Sequence, residues 1–482
     1  MAISPKSAAR PAGRSGMGRT RNAIGGGLLG FCVALPAAAW LWGFTVDDAL
    51  ITARVAAHCA QGLGPRFNAG GPVTDAVTPL GYAPLLGLLG KRDPLAVLEL
   101  AKWFGLAAWL TTASILGVLI ARSGTRVQRF SPLLIVLLSA PLAAWAVSGM
   151  ETSLVTLLAT LGLLGGTWGA GGLGVAAALR PELIPFAWLQ VAVRIRVERP
   201  GWQRGTLQCA LTALPVGLVA GLRLHYFGRG VPLSFYAKPS DFAHGVRYLC
   251  GAFAFTGLPW LLLGTPRELS RLPRGAYPLL LALVGHAGAL VLCGGDWMPF
   301  YRLSVPVLPT LALLAALLAE QAGRVLLLIR LLVSAAAALL LFVGLGPAAR
   351  RVGADRARLI AAAKPVFARD ARIAALDVGW VGAASPAQVI DLAGVTDPQV
   401  ASFPGGHTSK RIPEAWLFAR RPTAIVLLLA RGTTVETPFE TSLFSRVVED
   451  RVARIVAREF RLRTTLALGD QTYLVLEPKQ PL

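Results

Sequence analysis

The chain has 482 residues, 54% hydrophobic and 15% charged, with a mean hydropathy of +0.59 and a formal net charge of +22. Few soluble domains are that apolar, and runs near bilayer length recur along most of the chain, so the composition excludes an ordinary soluble enzyme and points to a polytopic helical membrane protein. The charge does not point to nucleic acid: the arginines stand in short clusters between apolar runs, where the positive-inside rule puts them, and no long basic tract follows the N-terminal arm.

In chain order, residues 1–22 form a basic arm with Lys6, Arg10, Arg14, Arg19 and Arg21, followed by an apolar run from about Ile24 to Phe44. That run is long enough to span and lacks a small-residue cleavage site after Trp40, so it reads as a retained signal anchor. Further spans are expected near residues 95–121, 131–148, 152–168, 208–227, 247–264, 276–293, 303–320 and 325–346. Two segments are awkward. Residues 79–90 ("PLGYAPLLGLLG") are too short to cross alone, and residues 170–193 are broken by "LRPELIP", which sets Arg180 and Glu182 at membrane depth. If the first is juxtamembrane or re-entrant and the second a hairpin with Arg-Pro-Glu at its outer tip, the clusters at Arg122–Arg129, Arg194–Arg204 and Arg267–Arg274 all share the N-terminal, cytoplasmic side. The scheme gives about 9–11 spans over a transmembrane domain of residues 23–346, with an external loop at 44–79.

Residues 347–482 carry more charge, strand-like runs ("RIAALDVGWV", "TAIVLLLA", "TYLVLEP") and an amphipathic helical pattern near 444–459, which together read as a small soluble α/β domain on the outer side. Cys32, Cys59, Cys209, Cys250 and Cys293 show no CxxC spacing, and the five histidines show no HxH or HxxxH pair, so no zinc site is indicated.

The external loops hold the unusual chemistry: "FTVDDALITAR", "SGMETS", "YFGRGVPLSFYAKPSD" and "GGDWMPFYR". Asp47 and Asp48 open a segment with helical apolar rhythm, read as an amphipathic helix on the membrane that starts in a Thr45-to-Asp48 cap. Acids in a first turn also serve as plain dipole partners. Arg180 and Glu182 either pair to pin the hairpin or line a cavity. Lys238 and Asp241 flank Tyr236 in one loop, and Asp296 and Arg302 surround Trp297, Phe300 and Tyr301 in another. Carboxylates serve as general bases, arginine and lysine hold phosphates, and aromatic faces suit sugar rings or a polyprenyl chain. That set fits a transferase whose donor is a lipid phosphate embedded in the bilayer.

"DDALITAR", "GLGPRFNAGGPV", "VTPL", "SGMET", "RPEL", "YAKPSD" and "GGDWMPFYRLSVPVLP", in this order, resemble the motifs of GT-C class polyprenyl-phosphate-dependent glycosyltransferases. The likeness is to the terminal β-arabinofuranosyltransferase family of actinobacterial cell walls and its bacterial relatives. "ALDVGWVGAASPAQVIDLAGVTDPQVA" resembles the start of that family's external domain, so the likeness covers most of the chain. It implies a helical bundle in the bacterial cytoplasmic membrane, an active site on the outer face, a polyprenyl-phosphate sugar donor, a glycan or glycolipid acceptor, and transfer with inversion. The base implied is Asp47 or Asp48, with Asp47 matching the first acid of the paired motif. Arg54, Lys238 and Arg302 are then candidates for the donor phosphate. Glu151, Arg180, Glu182, Tyr236, Asp241, Asp296 and Trp297 are candidates for the sugar or acceptor pocket. "VTPL" stands where a serine-proline is common, and "RPEL" lacks the glycine that often follows; both leave substrate identity open, with arabinofuranose, another pentose and mannose all compatible. No cofactor is required, and nothing in the sequence supports a divalent ion between Asp47 or Asp48 and phosphate. The alternative reading is a transporter or flippase of a lipid-linked or small anionic solute, favoured by broken helices and intramembrane charge. A non-catalytic scaffold is a third, which leaves the paired aspartates unexplained.

Overall fold

The computed structural model describes residues 15–123, 127–430, 443–469 and 471–480. Lys6, Arg10 and Arg14 of the basic arm, and Arg126, lie outside the described residues. The helices of the first part are α1 (Ser15–Trp40), α2 (Asp47–Ala60), α3 (Tyr82–Gly87), α4 (Pro94–Ser123), α5 (Ser131–Leu137), α6 (Ala140–Ala146), α7 (Thr152–Leu161), α8 (Gly166–Leu179), α9 (Ile184–Glu198), α10 (Trp202–Phe227), α11 (Leu233–Ala237), α12 (Phe242–Phe255), α13 (Pro266–Leu269), α14 (Tyr277–Leu292), α15 (Leu308–Ala319), α16 (Arg324–Ala349) and α17 (Val352–Val366).

Among the described residues six helices are long and apolar enough to cross a membrane, or seven if the pair α5–α6, bent by 56°, makes one span. The protein is a multi-pass helical membrane protein. Several apolar runs that suggested further crossings fold as shorter helices: α7 has 10 residues, α8 14, α9 15 and α12 14. At 1.5 Å per residue these reach about 15–22 Å, short of the ~30 Å hydrocarbon core. They nevertheless run between the two ends of the bundle. Glu151, before α7, meets Arg180, after α8, at 2.6 Å. At the other end Arg194 of α9 donates to the Gly162 carbonyl beyond α7 at 2.7 Å. Residues 170–193 thus form a hairpin with "RPEL" at its tip, and α3, only six residues long, does not cross.

The end carrying Arg194 also holds buried ion pairs that tie helix ends together. Arg330 near the start of α16 meets Glu268 of α13 at 2.6 Å, and Arg129 meets Glu320 at 3.7 Å. Glu268 in turn closes a capping box with Thr265.

The C-terminal part comprises β1 (Arg372–Ala375), α18 (Val378–Ala384), β2 (Gln388–Asp391), α19 (Pro398–Ser402), α20 (Glu414–Ala419), β3 (Ala424–Leu428), α21 (Val447–Val456), β4 (Phe460–Leu468) and β5 (Gln471–Pro478). The sheet order is β2-β1-β3-β5-β4, parallel for β2, β1 and β3 and antiparallel across β3, β5 and β4. Three expected elements appear as β3, β5 and α21. "RIAALDVGWV" divides: only Arg372–Ala375 is strand, and Val378 onwards is helix. A short, mostly apolar run reads alike as buried strand or buried helix, and here packing against α2 decides.

The domain docks on the bundle through one continuous core. Leu50, Val55, Phe67 and Tyr82 pack with Ile373, Trp380, Val389 and Val475. The edge strand β2 is closed by a side chain from the loop after α2: Asn68 donates to the Val389 carbonyl and accepts from its N–H, both at 2.9 Å. An amide thus mimics a neighbouring strand and removes an open edge.

These contacts correct two expectations about α2. It is not an amphipathic helix lying on the membrane, because Ala49 to Ala57 are buried without interruption. Nor does Thr45 cap it: the Thr45 hydroxyl donates to the Ser148 carbonyl at 3.0 Å, and Val46, at the N-cap position, makes no side-chain cap bond.

Candidate functional site

Where the bundle meets the C-terminal domain, a cleft enclosing about 1050 Å³, open mouth included, gathers charged side chains from five separate stretches of chain. Asp48 comes from α2, Glu151 from the start of α7, Arg180 and Glu182 from the hairpin tip, Lys238 from the end of α11, and Asp296 and Arg302 from the loop before α15. Seven of the candidate residues therefore converge. Thr52, Thr78, Ser234 and Ser240 add hydroxyls, and Val395 reaches in from the C-terminal domain.

The loop "GGDWMPFYR" shows how local backbone builds the site. Phe300 (φ 58°) and Tyr301 (φ 49°) are both left-handed, which side chains other than glycine rarely adopt. That winding brings Arg302 Nε to 2.7 Å from Asp296 Oδ2, while Asp296 Oδ1 accepts from the Trp297 N–H at 2.8 Å. The Arg302 guanidinium also stands 5.6 Å over the Trp145 ring. Burial opposes ionisation of Asp296, but Arg302, Lys238 and Arg180 outweigh it and hold its carboxyl below the ordinary range.

Asp48 has no such tight partner. Its carboxylate lies 3.7 Å from Arg302 Nη1 and 4.0 Å from Lys238 Nζ, and its side chain keeps 28% exposure, against 1% for Glu151. Arg180 bridges Glu151 at 2.6 Å, without hydrogen-bond alignment, and Glu182 at 3.4 Å. Negative and positive groups thus alternate around the cleft. Among the described residues no three His, Cys, Asp or Glu side chains gather to hold a metal ion.

The paired aspartates point in different directions, as neighbours on a helix must. Asp47 faces away from the cleft. Its Oδ1 accepts from Arg356 of α17 at 2.8 Å and from the Trp380 N–H at 3.0 Å, and its Oδ2 from the Gly379 N–H at 2.8 Å. Burial raises its carboxyl to about 6; Arg356 and the Gly379 N–H work against this, Asp377 and Asp48 with it. The chain of charges continues inward: Asp377 accepts from Arg446 at 2.8 and 3.0 Å and from the Tyr473 hydroxyl at 2.7 Å, and Arg446 also meets Glu449 at 2.6 Å. The match to the first acid of a paired motif favoured Asp47 as the base; the geometry makes Asp47 a docking residue and leaves Asp48 in the cleft.

Four other candidates do not line it. Arg54 is buried on the opposite face of α2 and donates to four carbonyls: Phe67 at 2.7 Å, Ser385 at 2.8 Å, Ala387 at 3.0 Å, and Gly382. Its donors are consumed in stitching α2 to α18, so it is not available to a phosphate. Asp241 caps α12 by accepting from the His244 N–H at 3.0 Å. Trp297 is exposed and stacks on His244, and Tyr236 is exposed beneath Arg229. Sequence reasoning passed over Thr52, although it lies four residues after Asp48 and hence on the same helical face. Thr78 and Ser234, whose hydroxyls meet at 3.0 Å, stand inside the motifs "VTPL" and "YFGRGVPLSFYAKPSD" but drew no role from them.

Behind the cleft a buried pair braces the wall. Arg223 of α10 donates to Asp75 at 3.2 Å and to the Thr78 carbonyl, and Asp75 also accepts from the Leu233 N–H at 3.2 Å. Beside it runs an apolar groove between residues 73–84 and the end of α10, walled by Leu222, Tyr226 and Phe227. Groove and cleft share Val77 and Pro79.

Residues 350–476 match a family model described as a domain of unknown function, DUF8728. The match takes in α17 and the C-terminal domain and none of the helices α1 to α16. No curated protein matches the chain.

Proposed function

We propose that this protein is a membrane glycosyltransferase that moves a sugar from a polyprenyl-phosphate donor to a glycan or glycolipid acceptor, with inversion and with Asp48 as general base. The reading is carried by one observation: Asp48, a part-exposed carboxylate, stands within 4.0 Å of both Lys238 and Arg302 in a cleft that also holds Arg180. A base beside a cluster of cations is what attack at a phosphate-bearing carbon needs. Asp48 takes the proton of the acceptor hydroxyl as its oxygen bonds to the anomeric carbon. The bond from that carbon to the phosphate oxygen breaks on the opposite face. The departing polyprenyl phosphate keeps the electron pair, and Lys238, Arg302 and Arg180 meet its charge. Glu151, Glu182 and Asp296 orient those cations and offer acceptors to sugar hydroxyls.

The apolar groove sharing Val77 and Pro79 with the cleft suits an isoprenoid chain whose head lies among the cations. The positive-inside rule favours a cleft outside the cell, because Arg122 ends α4, Arg196 ends α9 and Arg324 starts α16, all at the far end of the bundle. Arabinofuranose follows from the motif likeness alone; mannose or another pentose suits the same residues.

The test is transfer from radiolabelled polyprenyl-phosphate sugars in membranes holding either the wild type or Asp48→Asn. Loss of a general base lowers turnover by about 10²–10⁴, so label is expected to reach acceptor glycans with the wild type alone. Folded wild type that moves no label from any donor, with acceptors present, overturns the reading.

A further inference from the structure

The cleft occupies one face of α2, and a second pocket opens on the other. It encloses about 1100 Å³, open mouth included, along the seam between the bundle and the C-terminal domain. The end of α2 gives it His58 and Gln61, the loop before α4 gives Arg92, α17 gives Lys364, and the residue after α18 is Ser385. Arg54 borders it too, but spends its donors on four carbonyls. Arg92 and Lys364 are exposed and enter no ion pair among the described residues. Among the described residues no acid lines the pocket. Asp93, next to Arg92, serves the start of α4 instead, where its Oδ2 accepts from the Ala96 N–H at 2.9 Å. Walls carrying charge of one sign focus the field and attract an anion.

Its depth in the bilayer decides which anion. The helix α4 runs 30 residues from Pro94, about 45 Å at 1.5 Å per residue, which is the thickness of a bilayer with its headgroups. Arg92, just before that helix, therefore stands at headgroup level. The chain leading to it is apolar and then basic, "LLGKR": Leu88 and Leu89, 83% and 53% exposed, precede Lys91 and Arg92. Exposed leucines beside cations are the pattern of a segment seated at the lipid interface. The polar wall adds a second feature. His58 Nδ1 lies 2.8 Å from the Arg66 carbonyl, which can only accept, so Nδ1 carries the proton. Burial lowers the imidazole, Arg54 adding to the effect and the Arg66 carbonyl opposing it, and the neutral ring keeps Nε2 as an acceptor for a hydroxyl.

We propose that this seam pocket binds the headgroup of an anionic phospholipid, with Arg92 and Lys364 as the cations for its phosphate and His58 Nε2 as the acceptor for a headgroup hydroxyl. Arg92 belongs to the bundle and Lys364 to the segment that carries the C-terminal domain, so a bound lipid favours the docked arrangement over any other. The inference goes beyond the transferase reading and does not rest on it, since neither donor nor acceptor enters its test.

The experiment uses the full chain in a neutral detergent, titrated with dioleoyl phosphatidylglycerol and followed by native mass spectrometry and hydrogen exchange. Dioleoyl phosphatidylcholine and soluble glycerol phosphate are the comparison probes. One cation at a membrane surface changes affinity for an anionic lipid by about fivefold. Arg92→Gln and Lys364→Gln, both at exposed positions, are each expected to weaken phosphatidylglycerol binding by about that factor, and the double variant by about twenty-five-fold. Arg358→Gln removes an exposed cation of α17 that does not line the pocket, and is expected to leave binding unchanged. Phosphatidylglycerol, unlike either comparison probe, is expected to raise amide protection in α17 and α18 of the wild type, and not in the double variant. Wild-type affinity in the double variant, an equal loss in Arg358→Gln, phosphatidylcholine bound as tightly, or lipid bound with no gain in protection overturns the inference. Equal protection by glycerol phosphate overturns it too, because the pocket would then serve a free anion and not a lipid.

Discussion

A single methyl group at Gly379 separates docking from chemistry. Gly379 and Gly382 lie one turn apart on α18, on the face pressed against α2. A Cβ at Gly379 would stand 2.2 Å from the Asp47 carbonyl oxygen and 2.8 Å from Asp47 Oδ2. Non-bonded contacts of this kind settle at about 3.5 Å, and a backbone carbonyl cannot swing aside as a side-chain tip does. In Gly379→Ala the helix must therefore retreat by roughly 1 Å. Overpacking alone costs about 1–3 kcal/mol, and losing one N–H bond to the Asp47 carboxylate adds about 1.5–3 kcal/mol. The sum, roughly 3–6 kcal/mol, is enough to undock the domain locally while leaving the bundle folded. The consequence reaches the cleft, because Asp48 is the next residue of α2 and Val395 reaches the cleft from the docked domain. Hydrogen exchange on the solubilised protein is the assay. Amides of α2 and α18 are expected to lose protection together, and transfer to fall with them, while α4 and α15 keep theirs. Wild-type protection across both docked helices in Gly379→Ala would refute the reasoning, since it requires that the close approach does not exist.

Arg302→Lys keeps the charge but loses the planar fork that serves Asp296 at 2.7 Å while covering the Trp145 ring; a donor KM raised about tenfold or more is expected in transfer kinetics, and an unchanged KM removes Arg302 from the donor site. Asp47 ties docking to pH. Its carboxyl, raised from 3.8 to about 6 by burial, holds a proton in the folded protein that the unfolded chain has already released. Its contribution to stability is thus full below about 4 and is lost as pH rises through about 6. Thermal midpoints measured across that window should show this decline in the wild type and a flatter profile in Asp47→Asn; parallel profiles would rule Asp47 out as the source.

Much of the fold was legible because bilayer burial demands long apolar runs whatever their neighbours: those at α4, α14 and α16 were read within a few residues, and those at α1, α10 and α15 less closely at their starts. The site was legible in part for a related reason. Charge at membrane depth is costly without a purpose, so Arg180 and Glu182 stood out against their surroundings, while Glu151, Asp296 and Arg302 were marked by the loop motifs that hold them. Arg54, marked by the "DDALITAR" motif, misled, because a lone arginine in sequence does not reveal the four carbonyls that consume its donors. Thr78 and Ser234 were given no role because hydroxyls are common in loops and these two meet only in three dimensions.

Composition and periodicity by themselves determined that this is a helical membrane protein with a C-terminal α/β domain, since hydropathy and period are local properties of the chain. Only the tertiary structure decided which of two adjacent carboxylates enters the cleft. On a helix, successive side chains diverge by about 100°, so Asp47 and Asp48, alike in sequence, are separated by what packs on each face of α2: Gly379, Trp380 and Arg356 on one, Arg302 and Lys238 on the other.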